Sequence, residues 1–184
     1  MEKTVFWIFF YIILFIPIMV YLIYCCNVIT QQYYRFKNIF EKLDEYTKKY
    51  INKNELGPVI KMLFDRVNGW CILKAIYTSV HFCFNFWSIA YAVLGLGFDN
   101  VVEPLYIKVC AIISILTLSL NLFLKSEKKW MTFKKVWISG SIQTNQFIVE
   151  LSNDKDDKDI CVITEEYSNS ILDIEESLGG DDII

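Results

Sequence analysis

Residues 70–98, WCILKAIYTSVHFCFNFWSIAYAVLGLGF, and residues 106–124, YIKVCAIISILTLSLNLFL, decide the fold. Each is apolar for long enough to cross a bilayer, which takes about 20 residues of helix. Only residues 99–105 separate them, so two helices here must be antiparallel neighbours. Each stretch also carries one polar stripe. Lys74, Thr78, His81, Asn85 and Ser88 recur at steps of four, three, four and three. Cys110, Ser114, Thr117, Asn121 and Lys125 recur at four, three, four and four. Those steps put each set on one helix face.

A third apolar run covers residues 5–28. It contains no Ala, Gly or Ser, and it outruns the roughly 7–15 apolar residues of a secretory signal. It reads as an uncleaved first span, kinked or loosened at Pro17. The expected fold is therefore an all-α integral membrane protein with spans at 5–28, 70–98 and 106–124. Composition agrees, with 54% hydrophobic residues and a mean hydropathy of +0.35.

Between the first two spans the pattern changes. Ile39, Leu43, Tyr46 and Tyr50 step four, three and four, with Phe36 and Phe40 on a neighbouring line and charged residues between. This predicts an amphipathic helix over 30–56, stopped by Gly57-Pro58. A second short amphipathic helix, 59–67, leads through Asn68-Gly69 to Trp70, an interfacial anchor for the second span. Past Leu124, an apolar stripe of Trp130, Phe133, Trp137, Thr144, Phe147, Ile148 and Leu151 extends the third span as a helix to about 151, bent at Gly140. Such a stripe needs a partner, and the 30–56 helix is the expected one. A charged linker follows at 153–159, then an unassigned apolar patch at 160–164. Tyr167, Ile171, Ile174 and Leu178 predict a short acidic helix over 165–178, closed by Gly179-Gly180 before a frayed end. The expected division is a membrane domain, 1–151, and an acidic tail, 152–184.

The net charge of −3 hides an asymmetry. Residues 1–151 hold sixteen Lys/Arg against ten Asp/Glu, and residues 152–184 hold two Lys against eleven acids. An acidic tail argues against direct nucleic-acid binding. Eight Lys/Arg lie between the first and second spans and none in 99–105, while Lys125, Lys128, Lys129, Lys134 and Lys135 follow the third. Positive loops remain cytoplasmic. The N-terminus is thus expected outside, and 30–69 and the C-terminus in the cytoplasm of a multi-pass cell-membrane protein.

Catalytic chemistry finds little support. The six cysteines form no C-x-x-C, and His81 is the single histidine, so metal-ligand spacing is lacking. Phosphate-cradling glycine loops and hydrolase motifs are also missing from the sequence. No catalytic residue, metal ligand or cofactor is expected, and neither is an enzyme. What remains is the set Lys74, Thr78, His81, Asn85, Ser88, Ser114, Thr117, Asn121 and Lys125. One reading has the two stripes pair with each other, His81 bonding as a neutral imidazole across to Thr117 or Asn121. The other has several copies assemble with the stripes around water, Lys74 and Lys125 ringing the cytoplasmic mouth.

The order of features over 70–151 resembles a known family. A hairpin of two spans, then KSEKKW (125–130) and FKK (133–135) opening a long helix, is similar to the SLATT-type two-transmembrane domains. That resemblance, over less than half the chain, implies a prokaryotic membrane effector of antiphage or nucleotide-second-messenger systems that oligomerises and forms a pore when triggered. The expected partners are the lipid bilayer, further copies of the chain, and a cytosolic or nucleotide-sensing protein. Two alternatives stand beside it: a membrane-anchored interaction or scaffold protein using the acidic tail, and a small holin-like protein.

Overall fold

The computed structural model describes residues 2–50, 56–99, 102–152 and 157–179. Every element in them is a helix: α1 (Glu2–Tyr50), α2 (Leu56–Gly97), α3 (Pro104–Phe123), α4 (Ser126–Ser152) and α5 (Asp157–Gly179). Three of these, α1, α2 and α3, are long and apolar enough to cross a membrane. The chain divides into two compact units. The first joins Met1–Asn27 to Ala75–Trp130, and the second joins Val28–Lys74 to Met131–Ile184. Helices α1 and α2 each contribute to both.

In the first unit, α2 lies between two antiparallel neighbours. Its contact with α3 is close where both chains are small: a methyl group added at Gly95 would sit 3.3 Å from Cys110 Cβ, and Cys110 is fully buried. Small residues let helix backbones approach in this way. Helix α1 docks on the other side through backbone carbonyls. Pro17 has no N–H, so it leaves the Ile13 carbonyl without its usual helical donor. The Trp87 indole N–H supplies one from α2, at 3.1 Å. One turn away on each side, the Tyr91 hydroxyl donates to Phe10 O (3.3 Å) and the Cys83 thiol to Pro17 O (3.7 Å). Phe6, Tyr91, Leu94, Val102 and Cys110 form the buried core of this unit.

The second unit is built on an aromatic trio from three helices. The rings of Phe147 (α4) and Tyr167 (α5) stack at 4.5 Å, and Phe64 (α2) meets them edge-on at 6.2 and 5.9 Å. All three are buried, and burying each such side chain contributes about 1.5–3 kcal/mol. The Tyr167 hydroxyl donates to Thr144 Oγ1 (2.8 Å), which in turn donates to Gly140 O (2.7 Å). A Cβ at Gly140 would lie 2.8 Å from the Trp70 ring, so only glycine lets α4 seat against α2 here. Lys74 Nζ sits 4.0 Å over the Trp137 ring, Arg66 pairs with Glu175, and Arg35 donates to Asn145 (3.2 Å).

Several expected boundaries move. The first span and the amphipathic segment are one helix that runs through Pro17 to Tyr50. Of the stripe over 36–50 the helical backbone is described but the side chains of 36, 40 and 42–50 are not, and residues 51–55 lie outside the described residues. Two helices do meet in this region, α1 ending at Tyr50 and α2 beginning at Leu56, but Pro58 sits inside the first turn of α2, where its missing N–H costs nothing. The helix also runs on through Asn68-Gly69. The third span is not extended as one helix: α3 stops at Phe123, and α4 begins after Lys125, which has φ 47°. The buried stripe of α4 meets α2 and α5, while most side chains of its expected partner, the 30–56 helix, fall outside those described. The acidic C-terminal helix starts at Asp157, eight residues early, because Ile160, Ile163 and Thr164 join Tyr167 and Ile171 in its buried face. The linker residues 153–156 and the end at 180–184 lie outside the described residues.

Candidate functional site

The expected polar stripes are brought together at the junction of α2, α3 and α4, within the first unit. His81 and Asn85 are one turn apart on α2, and Asn85 Nδ2 lies 3.1 Å from His81 Nε2. Across the helix pair, Asn121 Nδ2 donates to Asn85 Oδ1 at 2.9 Å. The Ser126 hydroxyl donates to Asn121 Oδ1, and its oxygen lies 3.4 Å from His81 Nδ1. Four side chains thus close a ring.

The ring has one consistent direction. Asn85 uses its oxygen as acceptor for Asn121, so its amide nitrogen faces His81 and must donate to Nε2. Nε2 is then the bare nitrogen of a neutral imidazole, and Nδ1 carries the proton. That proton points to Ser126 Oγ, whose own proton goes to Asn121. Each group donates once and accepts once around the circuit, the arrangement in which hydrogen bonds reinforce one another. Asn121 is 7% exposed and Ser126 fully buried, so both need such partners.

The break between α3 and α4 makes this possible. Leu124 keeps a right-handed cap and Lys125 turns left-handed. Lys129 N then bonds Lys125 O (3.0 Å), starting α4 with Ser126 at the ring. A continued helix would have placed Lys125 on the stripe instead. Farther along the pair, Ser114 donates to Ser88 O (2.6 Å), with the two hydroxyls 3.4 Å apart.

The remaining expected residues go elsewhere. Thr117 folds back onto Ile113 O and Ser114 O of its own helix (2.9 and 3.0 Å). Thr78 lines a groove between α1 and α2. Lys74 lies against Trp137 in the second unit, and Lys125 is exposed. His81 therefore reaches Asn121 through Asn85 rather than directly, and it does not bond Thr117. Ser126 was missed, since the four-residue step from Asn121 leads to Lys125. A Ser–His contact raises the question of nucleophile activation. Here the histidine donates to the serine and its other nitrogen is taken, so the imidazole has no free base for that hydroxyl. Among the described residues no group of three His, Cys, Asp or Glu could hold a metal ion. All six cysteines are free thiols.

No family model matches the chain, and no curated protein or solved structure matches it either.

Proposed function

We propose that this chain is a non-enzymatic, multi-pass membrane protein that anchors a cytoplasmic helical module and works through protein–protein contact. The carrying observation is that His81, Asn85, Ser88, Ser114 and Asn121 are consumed by one another and by Ser126 within a single chain. A stripe that is satisfied internally has no need of a water-filled axis. The acidic α5 adds support: Asp159, Glu165, Glu166, Asp173 and Glu176 are all exposed on it, a face suited to a basic cytosolic partner. The orientation follows the lysine distribution, with the N-terminus outside and the second unit in the cytoplasm.

A triggered pore is the second reading, favoured by the order of hairpin, break and amphipathic helix that the SLATT resemblance rests on. It requires the ring to open and several copies to turn their stripes inward. Ion flux from liposomes separates the two. Under the anchor reading, vesicles carrying the purified chain stay tight, with or without replacement of Thr78, His81 and Asn85 by Leu. Flux that disappears on that triple replacement would establish the pore instead. Membrane-impermeant thiol labelling of exposed Cys161 from the cytoplasmic side tests the orientation.

A further inference from the structure

The strongest unexplained feature of the first unit is a groove between α1 and α2, about 510 Å³ in volume. Its floor is made where small groups face each other: Pro17 on α1, and Ser79 and Cys83 on α2. Ser79 and Cys83 turn their polar atoms onto Ala75 O and Pro17 O, so the floor presents carbon and sulfur rather than open donors. The rim is apolar and open, with Ile16, Val20 and Phe82 between 51% and 63% exposed.

The groove also has a direction. Ile16 and Phe86 stand at one end, and Tyr21, Tyr24 and Thr78 bring hydroxyls to the other half. From Ile16 to Tyr24 the helix rises about 12 Å. A largely apolar trough whose tyrosine and threonine hydroxyls lie in one half has the polarity of an amphiphile. Both walls belong to helices apolar enough to span a membrane, so the medium at the rim is acyl chain. In hydrocarbon there is no hydrophobic gain on binding. The gain is contact, because an unfilled trough leaves its lining atoms without dispersion partners. A flexible chain fills such a space without a fixed shape of its own.

We propose that this groove is a lipid-binding site, seating one acyl chain of a bilayer phospholipid with its glycerol end toward Tyr24 and Thr78. The inference rests on the membrane reading above and adds a specific site to it. The test uses the full chain in nanodiscs doped with a phospholipid bearing a mid-chain diazirine. After illumination, peptide mapping should place adducts chiefly on 16–24 and 78–86. Ile115 and Leu122 on the exposed face of α3 report ordinary surrounding lipid. Ser79→Phe fills the floor, and Phe82→Ala removes part of the rim at an exposed position. Each should lower the groove adducts severalfold and leave those on α3 unchanged.

Equal labelling of groove and α3, or groove labelling unchanged in both variants, would overturn the site. So would labelling by a free diazirine fatty acid alone, or adducts joining two chains across the groove. Alkaline carbonate extraction of the same membranes keeps the two failures apart. A chain released by carbonate contradicts the membrane reading, whereas a retained chain lacking groove adducts contradicts this site alone.

Discussion

His81 assigns opposite tasks to its two nitrogens, and the rest of the ring depends on that assignment. Replacing Asn85 or Asn121 with Leu leaves the other amide, buried Asn121 or half-buried Asn85, short of a partner, a cost of about 1–3 kcal/mol each. Replacing both strands only His81 Nε2 and the Ser126 hydroxyl, whereas the two singles between them strand these and both amides. The double variant should therefore be more stable than the sum of the singles implies. The expected coupling is about 0.6–2 kcal/mol, read from thermal unfolding in detergent; strict additivity would contradict the ring. Tyr167 gives a second test at this scale. Burial pushes its phenol from 10.0 up to about 12. Between those values the unfolded chain has lost the proton and the folded chain still holds it, so stability falls as pH rises through that window. The loss approaches about 2–3 kcal/mol by pH 12. Tyr167→Phe should remove this alkaline step from the unfolding profile of the second unit. The stripes from His81 to Ser88 and from Ser114 to Asn121 were legible because helical spacing alone puts them on facing sides. Ser126 was not, because nothing in Leu124-Lys125 announces a left-handed turn, which glycine or asparagine would have signalled.

At the scale of elements, the apolar runs announced three candidate spans through length and composition, two properties that survive errors of boundary. The breaks were harder. Asn68-Gly69 has the composition of a turn, yet a helical glycine costs only about 1 kcal/mol relative to alanine. Burial of Ile60, Leu63, Phe64, Val67, Trp70 and Cys71 along that same stretch outweighs it. The docking of α1 could not be read from the sequence at all, because its acceptors are backbone carbonyls. The bond from Trp87 to the carbonyl freed by Pro17 gives an expectation with a clear sign. Trp87→Phe should destabilise the first unit, since it strands the Ile13 carbonyl. The same change should cost less in a Pro17→Ala background, where residue 17 regains an N–H for that carbonyl. Thermal unfolding of the four variants measures the difference, and equal costs in both backgrounds would contradict the role given to the indole.

At the scale of the whole molecule, the two units differ in where their polar groups lie. The first exposes mostly apolar side chains along α1, α2 and α3 and bonds His81, Asn85, Asn121 and Ser126 within. The second carries the acidic helix, whose inner face is as thoroughly buried as that of α4. The strong negative charge of residues 152–184 belongs in its described part to the exposed side of α5, which includes the helix expected over 165–178. The function proposed here turns on whether the facing polar stripes meet inside one chain. That is tested most directly by Ser88→Cys with Ser114→Cys, introduced after the six native cysteines are replaced by alanine. The hydroxyls stand 3.4 Å apart. Oxidation in the membrane is expected to give an intramolecular disulfide in a monomer, with both thiols closed to charged aqueous reagents beforehand. Disulfide-linked dimers, or thiols that such reagents reach from either side, would contradict it.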